Sequence, residues 1–150
     1  MLKVLTHPNP TLRKKSREVA DVFSGGIKKL IPEMIETMKN SDGAGLAAPQ
    51  VGENIRLIVA SHKDQTLVIF NPKIIKKSIL KEWGEEGCLS VPNTFGEVKR
   101  CKKITIQFLN KKGLKEKLKA EGLLARVIQH EIDHLNGILF IDKAKKIKKL

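Results

Sequence analysis

The sequence predicts a mixed fold in which two helices flank a strand-rich middle with mainly antiparallel pairing. Apolar residues recur at helical spacing in two segments, and short β-rich runs separated by turn residues occupy the region between them. No internal repeat or Pro/Gly/Ser linker divides the chain, and 150 residues suit one hydrophobic core. Residues 1–150 are therefore expected to form a single domain.

The first helix is predicted from about Ser24 to Lys39. Its apolar residues recur every three or four positions, so one stripe of the helix packs on the core. They are Ile27, Leu30, Ile31, Met34, Ile35 and Met38. The segment from Asn40 to Gly45 then ends the helix.

The middle of the chain contains runs rich in β-forming residues, with turn residues such as Asn71-Pro72 and Val91-Pro92-Asn93 between them. Leu114 to Ala120 alternates apolar residues with lysine, as a strand with one solvated face does. The other predicted strands are Ile55 to Ala60, Thr66 to Phe70, Lys73 to Leu80 and Ile104 to Leu109.

The second helix follows Gly122 and is apolar over more than half of its circumference. Its apolar residues are Leu123, Leu124, Val127, Ile128, Leu135 and Ile138. Such a helix is expected to be deeply buried, which makes its polar residues conspicuous.

The chain is strongly basic, with 29 Lys and Arg against 16 Asp and Glu and a formal charge of +13. The lysines are dispersed and there is no Tyr, which argues against a platform that stacks single-stranded bases. The densest basic run is a C-terminal tail at about 143–150. It is predicted to be either a solvated end or a docking segment for an anionic partner.

No apolar run approaches the roughly 20 residues of a membrane span, and Met1 to Pro10 lacks the apolar core of a secretory signal. A cytoplasmic protein without membrane contact is therefore expected. Cys88 and Cys101 allow one disulfide at most, which a reducing compartment disfavours.

A metal-binding pattern lies within the second helix, at His130-Glu131-Ile132-Asp133-His134. Histidines four residues apart lie on one helix face, so both imidazoles can reach one ion. Glu131 lies about 100° further round and is placed to hold a water. Chance placement is disfavoured, because burying these groups without partners costs several kcal/mol.

A catalytic metal site usually takes three protein ligands, and Cys88 is the best candidate for the third. Downstream, the position where some metalloproteases place a third histidine is Phe140. Upstream, Cys88 is flanked by Gly87 and offers a thiolate that suits zinc or ferrous iron. Cys101, among Lys and Arg, is interpreted as a non-ligand, and His7 and His62 as surface residues.

The segment Gly43-Ala44-Gly45-Leu46-Ala47-Ala48-Pro49-Gln50 consists mostly of small residues, which is unusual in so lysine-rich a chain. Small residues let a substrate backbone approach a metal centre closely. The Gln50 amide can donate a hydrogen bond to a developing oxyanion.

This segment, Glu86-Gly87-Cys88-Leu89-Ser90 and Gln129-His130-Glu131-Ile132-Asp133-His134 together resemble the three signature motifs of the peptide deformylase family in order and spacing. The likeness extends from about Val4 to about Asp142. It implies an α+β fold in which antiparallel sheets surround the central, motif-bearing helix. The domain is then catalytic.

The resemblance implies removal of the formyl group from the N-terminal methionine of new polypeptides, with release of formate. It implies one divalent metal, natively Fe²⁺, with Zn²⁺ or Ni²⁺ accepted. The implied ligands are Cys88, His130 and His134, and the implied general base and acid is Glu131. Gln50 and the backbone N–H of Leu89 are implied to stabilise the oxyanion.

The resemblance also implies a substrate site, in which the substrate backbone pairs with Ala44, Gly45 and Gly87. The methionine side chain enters an apolar pocket near Val127. Arg126 either lines the rim of this pocket or pairs with a structural carboxylate, and the pairing is preferred. The basic surface or tail is a candidate for ribosome contact, whereas no contact with DNA is expected.

Two alternatives remain open from the residues. One is a zinc endopeptidase of the HExxH type, which the helix motif permits and the missing downstream ligand opposes. The other is a basic ribosome- or RNA-binding module with a closed, structural metal site.

Overall fold

The structure is a computed structural model that describes residues 1–150 and contains two α-helices and eight β-strands. The helices are α1 (Gly25–Asn40) and α2 (Gly122–Leu135). The strands are β1 (Gly45–Ala47), β2 (Leu57–His62), β3 (Gln65–Lys77), β4 (Lys81–Cys88), β5 (Val91–Cys101), β6 (Lys103–Leu109), β7 (Lys115–Glu121) and β8 (Lys145–Lys149). No helix is both long enough and apolar enough to cross a membrane.

The strands form two antiparallel sheets. The larger has the order β1-β2-β3-β6-β7, and the smaller has the order β4-β5-β8. The predicted α+β class and the antiparallel pairing are therefore confirmed. Two strands that line the functional site, β1 and β4, are edge strands of their sheets.

The two helices pack on opposite faces of the five-stranded sheet. Successive strand residues point to opposite faces, so Ile58 packs with α2 whereas Val59 packs with α1. On the α2 side, Ile128 and Leu135 join the apolar cluster, and on the α1 side Met34 and Met38 do so. Because strand side chains alternate between the two faces, one sheet provides an apolar packing surface for each helix.

The first helix begins and ends within one residue of its predicted bounds. The Ser24 hydroxyl accepts a hydrogen bond from the Ile27 N–H at 3.4 Å, which caps the first turn. Its fully buried face contains Met34, Thr37 and Met38.

Two turn predictions in the middle of the chain are wrong. Asn71-Pro72 does not separate two strands; it is an irregularity within β3, at a register shift against β6. Asn71 has a φ of 50°, and its side-chain amide bonds the N–H and C=O of Val19 at 2.8 and 2.9 Å. This side-chain pairing lets the strand continue through a turn-forming dipeptide. Val91-Pro92-Asn93 likewise belongs to a strand, because it forms the first three residues of β5.

The C-terminal residues expected to form a tail include a strand. Lys145–Lys149 pairs with β5, where Phe95 faces Lys148 and Glu97 faces Lys145. All five residues of β8 remain exposed. The basic segment is thus an edge strand of the smaller sheet, and the choice between a solvated end and a docking segment stays a prediction.

Candidate active site

Helix α2 buries polar residues where a core helix normally buries apolar ones. His130, Glu131 and His134 are exposed by only 8%, 4% and 1%. The two histidines lie one turn apart, with ring centroids 5.0 Å from each other. The spacing in the sequence therefore becomes a pair of neighbouring imidazoles.

The end of β4 brings Cys88 to this pair. The register against β5 shifts between Gly87 and Cys88, and the Cys88 Sγ lies 3.3 Å from the His134 Nε2. One donor atom from each of Cys88, His130 and His134 lies within 4.8 Å of the others. One thiolate and two imidazoles are a donor set suited to Zn²⁺ or Fe²⁺, so these residues fit a divalent cation.

The buried carboxylate of Glu86 orients one of the imidazoles. Its Oε1 lies 2.8 Å from the His130 Nδ1, so that nitrogen carries the hydrogen and the Nε2 is left for a cation. The same carboxylate accepts two hydrogen bonds from Arg100 at 2.9 Å and one from Arg126 at 2.7 Å. A carboxylate–histidine pair of this kind fixes the ligand's ring orientation.

Arg100 extends the network to the other side of α2. It is 4% exposed and donates to the Asp133 carboxylate at 2.6 Å, and Lys143 reaches the same carboxylate at 2.9 Å. Glu86, Arg100 and Asp133 were not predicted as site residues. The one signal for Glu86 is its position two residues before Cys88, which is weak because β4 is irregular between Gly87 and Cys88.

Burial and the charge network act against each other on the pKa values of the site. Burial lowers the pKa of His130, but hydrogen bonds with Cys88 and Glu86 outweigh it and raise the pKa to about 10. Burial also raises the pKa of Glu86, but hydrogen bonds from Arg100 and His130 bring it well below its usual range. Cation binding therefore has to release a proton from the His130 position.

His134 is in the opposite situation. Burial lowers its pKa well below the usual range, and the neighbouring charge of His130 acts in the same direction. This imidazole is therefore neutral at physiological pH, which is the form that binds a metal.

Glu131 is a buried carboxyl group with one unpaired oxygen. Burial raises its pKa to about 7, against the opposing effect of His130. Its Oε1 has no hydrogen-bond partner within the protein. Gly45 makes room for it, because a Cβ at that position would lie 2.8 Å from the Glu131 Oε2 and 2.8 Å from the Val127 Cγ1.

The Gln50 side chain is oriented by both of its ends. Its Oε1 accepts a hydrogen bond from the Ala47 N–H at 3.0 Å, and its Nε2 donates to the Ser90 hydroxyl at 3.1 Å. The Nε2 also lies 3.6 Å from the Cys88 Sγ. The amide donor is thereby fixed beside the candidate cation site.

These groups line one cavity of about 530 Å³. Every residue predicted for the site contributes to its wall except His134, which is 1% exposed. The predicted residues in the wall are Ala44, Gly45, Gln50, Gly87, Cys88, Leu89, Arg126, Val127, His130 and Glu131. The wall also contains residues that were not predicted, among them Thr94, Phe95 and Leu123, because nothing in their local sequence marks them as neighbours of a metal centre.

The remaining candidates lie where the sequence suggested. Arg126 pairs with the structural carboxylate of Glu86 and also donates to the carbonyls of Val98 and Glu82, each at 2.9 Å. Cys101 is buried in the apolar cluster beneath α2 and is not part of the donor set. His7 is exposed and His62 is partly exposed.

An α+β fold that surrounds a Cys-His-His donor set, with a buried carboxyl group and an open cavity beside it, defines a metal-dependent hydrolase. The model of the polypeptide deformylase family matches residues 1–150. The chain belongs to this family.

The similarity to curated relatives extends over most of each relative's own length. The chain is 46% identical over 137 residues to the peptide deformylase of Dehalococcoides mccartyi, covering 90% of this chain and 81% of the relative. It is 46% identical over 149 residues to that of Halothermothrix orenii, covering 98% and 96%. The chain is thus similar to these enzymes over nearly its full length.

Solved structures give the same result. The crystal structure of the Thermotoga maritima peptide deformylase superimposes with a TM-score of 0.93 at 41% identity, covering 97% of this chain and 98% of that one. A Synechococcus elongatus peptide deformylase in complex with actinonin superimposes with a TM-score of 0.92 at 39% identity, covering 97% and 79%.

The chain is therefore a metal-dependent enzyme that removes the N-formyl group from new polypeptides. The predicted family, activity and enzyme class are confirmed. The endopeptidase and the non-enzymatic binding module, which the residues alone left open, are set aside by family membership.

Proposed function

We propose that deformylation takes place at the centre formed by Cys88, His130 and His134, with Glu131 as the proton carrier. The observation that carries this proposal is the convergence of the three donor atoms within 4.8 Å of one another, beside a buried carboxyl group and an open cavity. When bound, a divalent cation supplies Lewis acidity, which lowers the pKa of a water and polarises the formyl carbonyl.

Glu131 accepts a proton from the water that attacks the formyl carbon. Its free Oε1 and its pKa of about 7 suit a group that takes up and returns a proton near neutral pH. The water oxygen bonds to the formyl carbon, and the carbon–nitrogen bond then breaks. Glu131 delivers its proton to the leaving nitrogen, so that formate and a free amine result.

Gln50 and the backbone N–H of Leu89 stabilise the negative charge that develops on the formyl oxygen. The Gln50 Nε2 has two hydrogens, of which one is donated to the Ser90 hydroxyl and the other faces the Cys88 Sγ at 3.6 Å. This second, long contact is weak and lies beside the candidate cation site, so its hydrogen is the one that can be donated to the formyl oxygen. Because Ala47 holds the other end of the amide, this donor needs no reorganisation when the charge forms.

The substrate backbone binds between two edge strands. Ala44 precedes β1 and Gly45 lies within it, Gly87 lies on β4, and each strand is hydrogen-bonded to a partner strand on one side only. Both contribute to the same cavity, so a peptide can add to either strand by backbone pairing. Val127, on the α2 wall, offers an apolar contact for the methionine side chain.

The metal is Fe²⁺ in the native enzyme, and Zn²⁺ or Ni²⁺ can replace it. A mixed sulfur and nitrogen donor set accepts all three. Anaerobic purification followed by elemental analysis and activity per metal tests this assignment. Iron as the major metal with the highest activity per ion is expected, whereas a zinc protein with equal or higher activity would contradict it.

The enzyme works as one catalytic domain in the cytoplasm, where new polypeptides emerge. Contact with the ribosome through its basic surface or through residues 143–150 would bring it to its substrate, since a charge of +13 attracts RNA. Ribosome co-sedimentation of the full chain, compared with a variant lacking residues 143–150, tests the role of that segment.

Glu131→Ala tests the assignment of the proton carrier. Turnover of a formyl-Met peptide, measured as formate release, is expected to fall by about 10² to 10⁴. The metal content should remain that of the parent, because Glu131 is not one of the three donors.

Glu116→Ala is the matched control, because it removes an exposed carboxylate on β7. It should leave both turnover and metal content unchanged. Near-normal turnover in Glu131→Ala would remove this residue from the mechanism.

A further inference from the structure

The face of the five-stranded sheet that packs against α1 is apolar under the helix and polar beyond it. Under α1, this face presents apolar side chains, including Val59, Phe70 and Leu109. Beyond α1, the same face continues across β3, β6 and β7 with Thr105 and Gln107 at its centre, and no helix covers it there. Neither Thr105 nor Gln107 is buried.

Strand register arranges lysines in rows across this uncovered region. One row is Lys76–Thr105–Lys119, and the next is Lys73–Gln107–Lys117. Lys103 and Lys115 lie on the same face at the two ends. We call this surface the lysine face: Lys73, Lys76, Lys103, Lys115, Lys117 and Lys119, all of them exposed.

Most of this charge is not neutralised within the protein. Of the six lysines, only Lys103 has an ion pair, a 3.7 Å contact with Glu121 at the end of β7. Lysines of one row lie on strands separated by β6, about 9.5 Å apart, and alternate lysines along a strand lie about 6.7 Å apart. The result is a regular array of unpaired positive charges.

One end of the array borders a groove of about 430 Å³ between the ends of β3 and β7, which Lys76, Lys103 and Lys119 line. Lys76 and Lys119 flank this groove, and Thr105 contributes to its wall. A concave groove with cations on both sides fits a projecting ridge of phosphates better than it fits a flat bilayer. No aromatic side chain lies among the six lysines, because Thr105 and Gln107 occupy the β6 positions between them, Phe108 points to the opposite side of β6, and Phe70 is buried under α1. The lysine face therefore lacks a platform on which single-stranded bases could stack.

We infer that the lysine face is a docking surface for the phosphate backbone of double-helical RNA, bound without regard to base sequence. The inference deepens the ribosome contact proposed above, because it names the surface and the chemistry that is recognised. The active-site cavity lies on the α2 side of the sheet, so RNA on the lysine face leaves substrate access open.

The test uses the full chain loaded with metal and a short fluorescein-labelled RNA duplex of mixed sequence. Fluorescence anisotropy gives the affinity at several salt concentrations. The variant is Lys76→Gln/Lys117→Gln/Lys119→Gln. The matched control is Lys28→Gln/Lys29→Gln/Lys39→Gln, which removes the same charge from exposed positions of α1.

The lysine-face variant is expected to lose at least about tenfold in affinity, and its slope of log K against log salt should fall by about one for each lysine removed. The control variant should lose much less. Equal losses in both variants would overturn the inference, since binding would then follow net charge alone. No binding of the parent to RNA, with binding to phosphatidylserine vesicles instead, would also overturn it.

Formate release from a formyl-Met peptide separates this inference from the proposed chemistry. Both triple variants should turn over substrate at the parent rate, because none of the lysines substituted in either variant lines the active-site cavity. Loss of RNA binding with unchanged turnover in the lysine-face variant therefore supports the docking surface independently of the catalytic assignments.

Discussion

The two helices pack on opposite faces of one sheet, yet they bury different kinds of side chain. The buried face of α1 consists of Met34, Met38 and Thr37, and the hydroxyl of Thr37 is satisfied by the Glu33 carbonyl at 2.7 Å. Helix α2 buries apolar residues together with Gln129, His130, Glu131 and His134. The first helix therefore serves the packing of the core, whereas the second also carries the side chains proposed to bind the cation and transfer the proton.

The difference shows what a buried polar residue needs. Gln129 is satisfied by the backbone N–H and C=O of Cys101, at 3.1 and 2.9 Å. His130 is satisfied by Glu86, whereas one oxygen of Glu131 has no partner. Because unsatisfied buried polar atoms are costly, the free Glu131 oxygen supports the proposal that water or substrate binds there.

The largest effect, a loss of metal affinity, is expected when Cys88 beside α2 is removed. Cys88→Ala takes one of three donors from the cation site and is expected to lower metal affinity by more than about 10²-fold, beyond what loss of a supporting residue costs. Elemental analysis after dialysis measures this. Cys101→Ala is the control and should keep its metal, because Cys101 packs in the apolar cluster. Equal metal content in both variants would contradict the proposed ligand set.

A smaller core side chain under α1 should lower the free energy of unfolding and leave turnover unchanged. Met34 is fully buried, and Met34→Ala is expected to lower the free energy of unfolding by about 2–5 kcal/mol. Urea denaturation measures this, with Ile79→Ala as a control at a 96% exposed position. Turnover of the folded variant should match the parent. A loss of turnover under conditions where the variant is fully folded would mean that α1 also shapes the site.

Weakening the support of His130 should have an intermediate effect. Glu86→Gln keeps the shape of the side chain but removes the charge that holds His130, Arg100 and Arg126. Metal affinity is expected to fall by about 10- to 100-fold.

The matched control for Glu86 is Glu97→Gln, whose ion pair with Lys146 at 3.6 Å lies at the surface. Competition with a metal chelator, followed by elemental analysis, compares the two variants. An unchanged affinity in Glu86→Gln would show that the carboxylate does not support the ligand.

The smallest effect is expected outside both helices, at the exposed pair of Arg13 and Asp142. A hydrogen bond from Arg13 holds the pKa of Asp142 below its usual value of 3.8. Because the folded-state pKa is the lower one, this pair stabilises the fold above the unfolded pKa, and its contribution is lost as pH falls through the folded value. The pair contributes about 0–1 kcal/mol to the free energy of unfolding.

Comparing Asp142→Asn with the parent by urea denaturation at several pH values measures this contribution. The difference in the free energy of unfolding should be largest near neutral pH and should shrink towards low pH. A difference that grew on acidification would contradict the sign of the pKa shift.

The sequence predicted what depends on local spacing. Histidines four residues apart on an apolar helix are neighbours in any α-helix, so the His130–His134 pair followed from periodicity alone. The bounds of α1 followed in the same way from its apolar stripe. The C-terminal lysines, in contrast, form a strand because they pair with the free edge of β5. Since β5 lies some fifty residues earlier in the chain, local spacing could not predict this pairing.

The predictions failed where tertiary pairing overrides local preference. Asn71-Pro72 reads as a turn, but the Asn71 amide pairs with Val19 and β3 continues through it. Strand β4, with Glu82, Glu85 and Glu86, lacks an apolar alternation and was not predicted. The Glu86–Arg100–Asp133 network joins residues from three elements, and only the fold shows that their charges meet.

The central claim, that Cys88, His130 and His134 share one cation, is tested most directly by X-ray absorption spectroscopy on the zinc-loaded protein. One sulfur scatterer at about 2.3 Å and two imidazole nitrogens at about 2.0–2.1 Å are predicted. The sulfur contribution should disappear in Cys88→Ala and persist in Cys101→Ala. A fully metallated parent whose spectrum contains no sulfur neighbour would contradict the account.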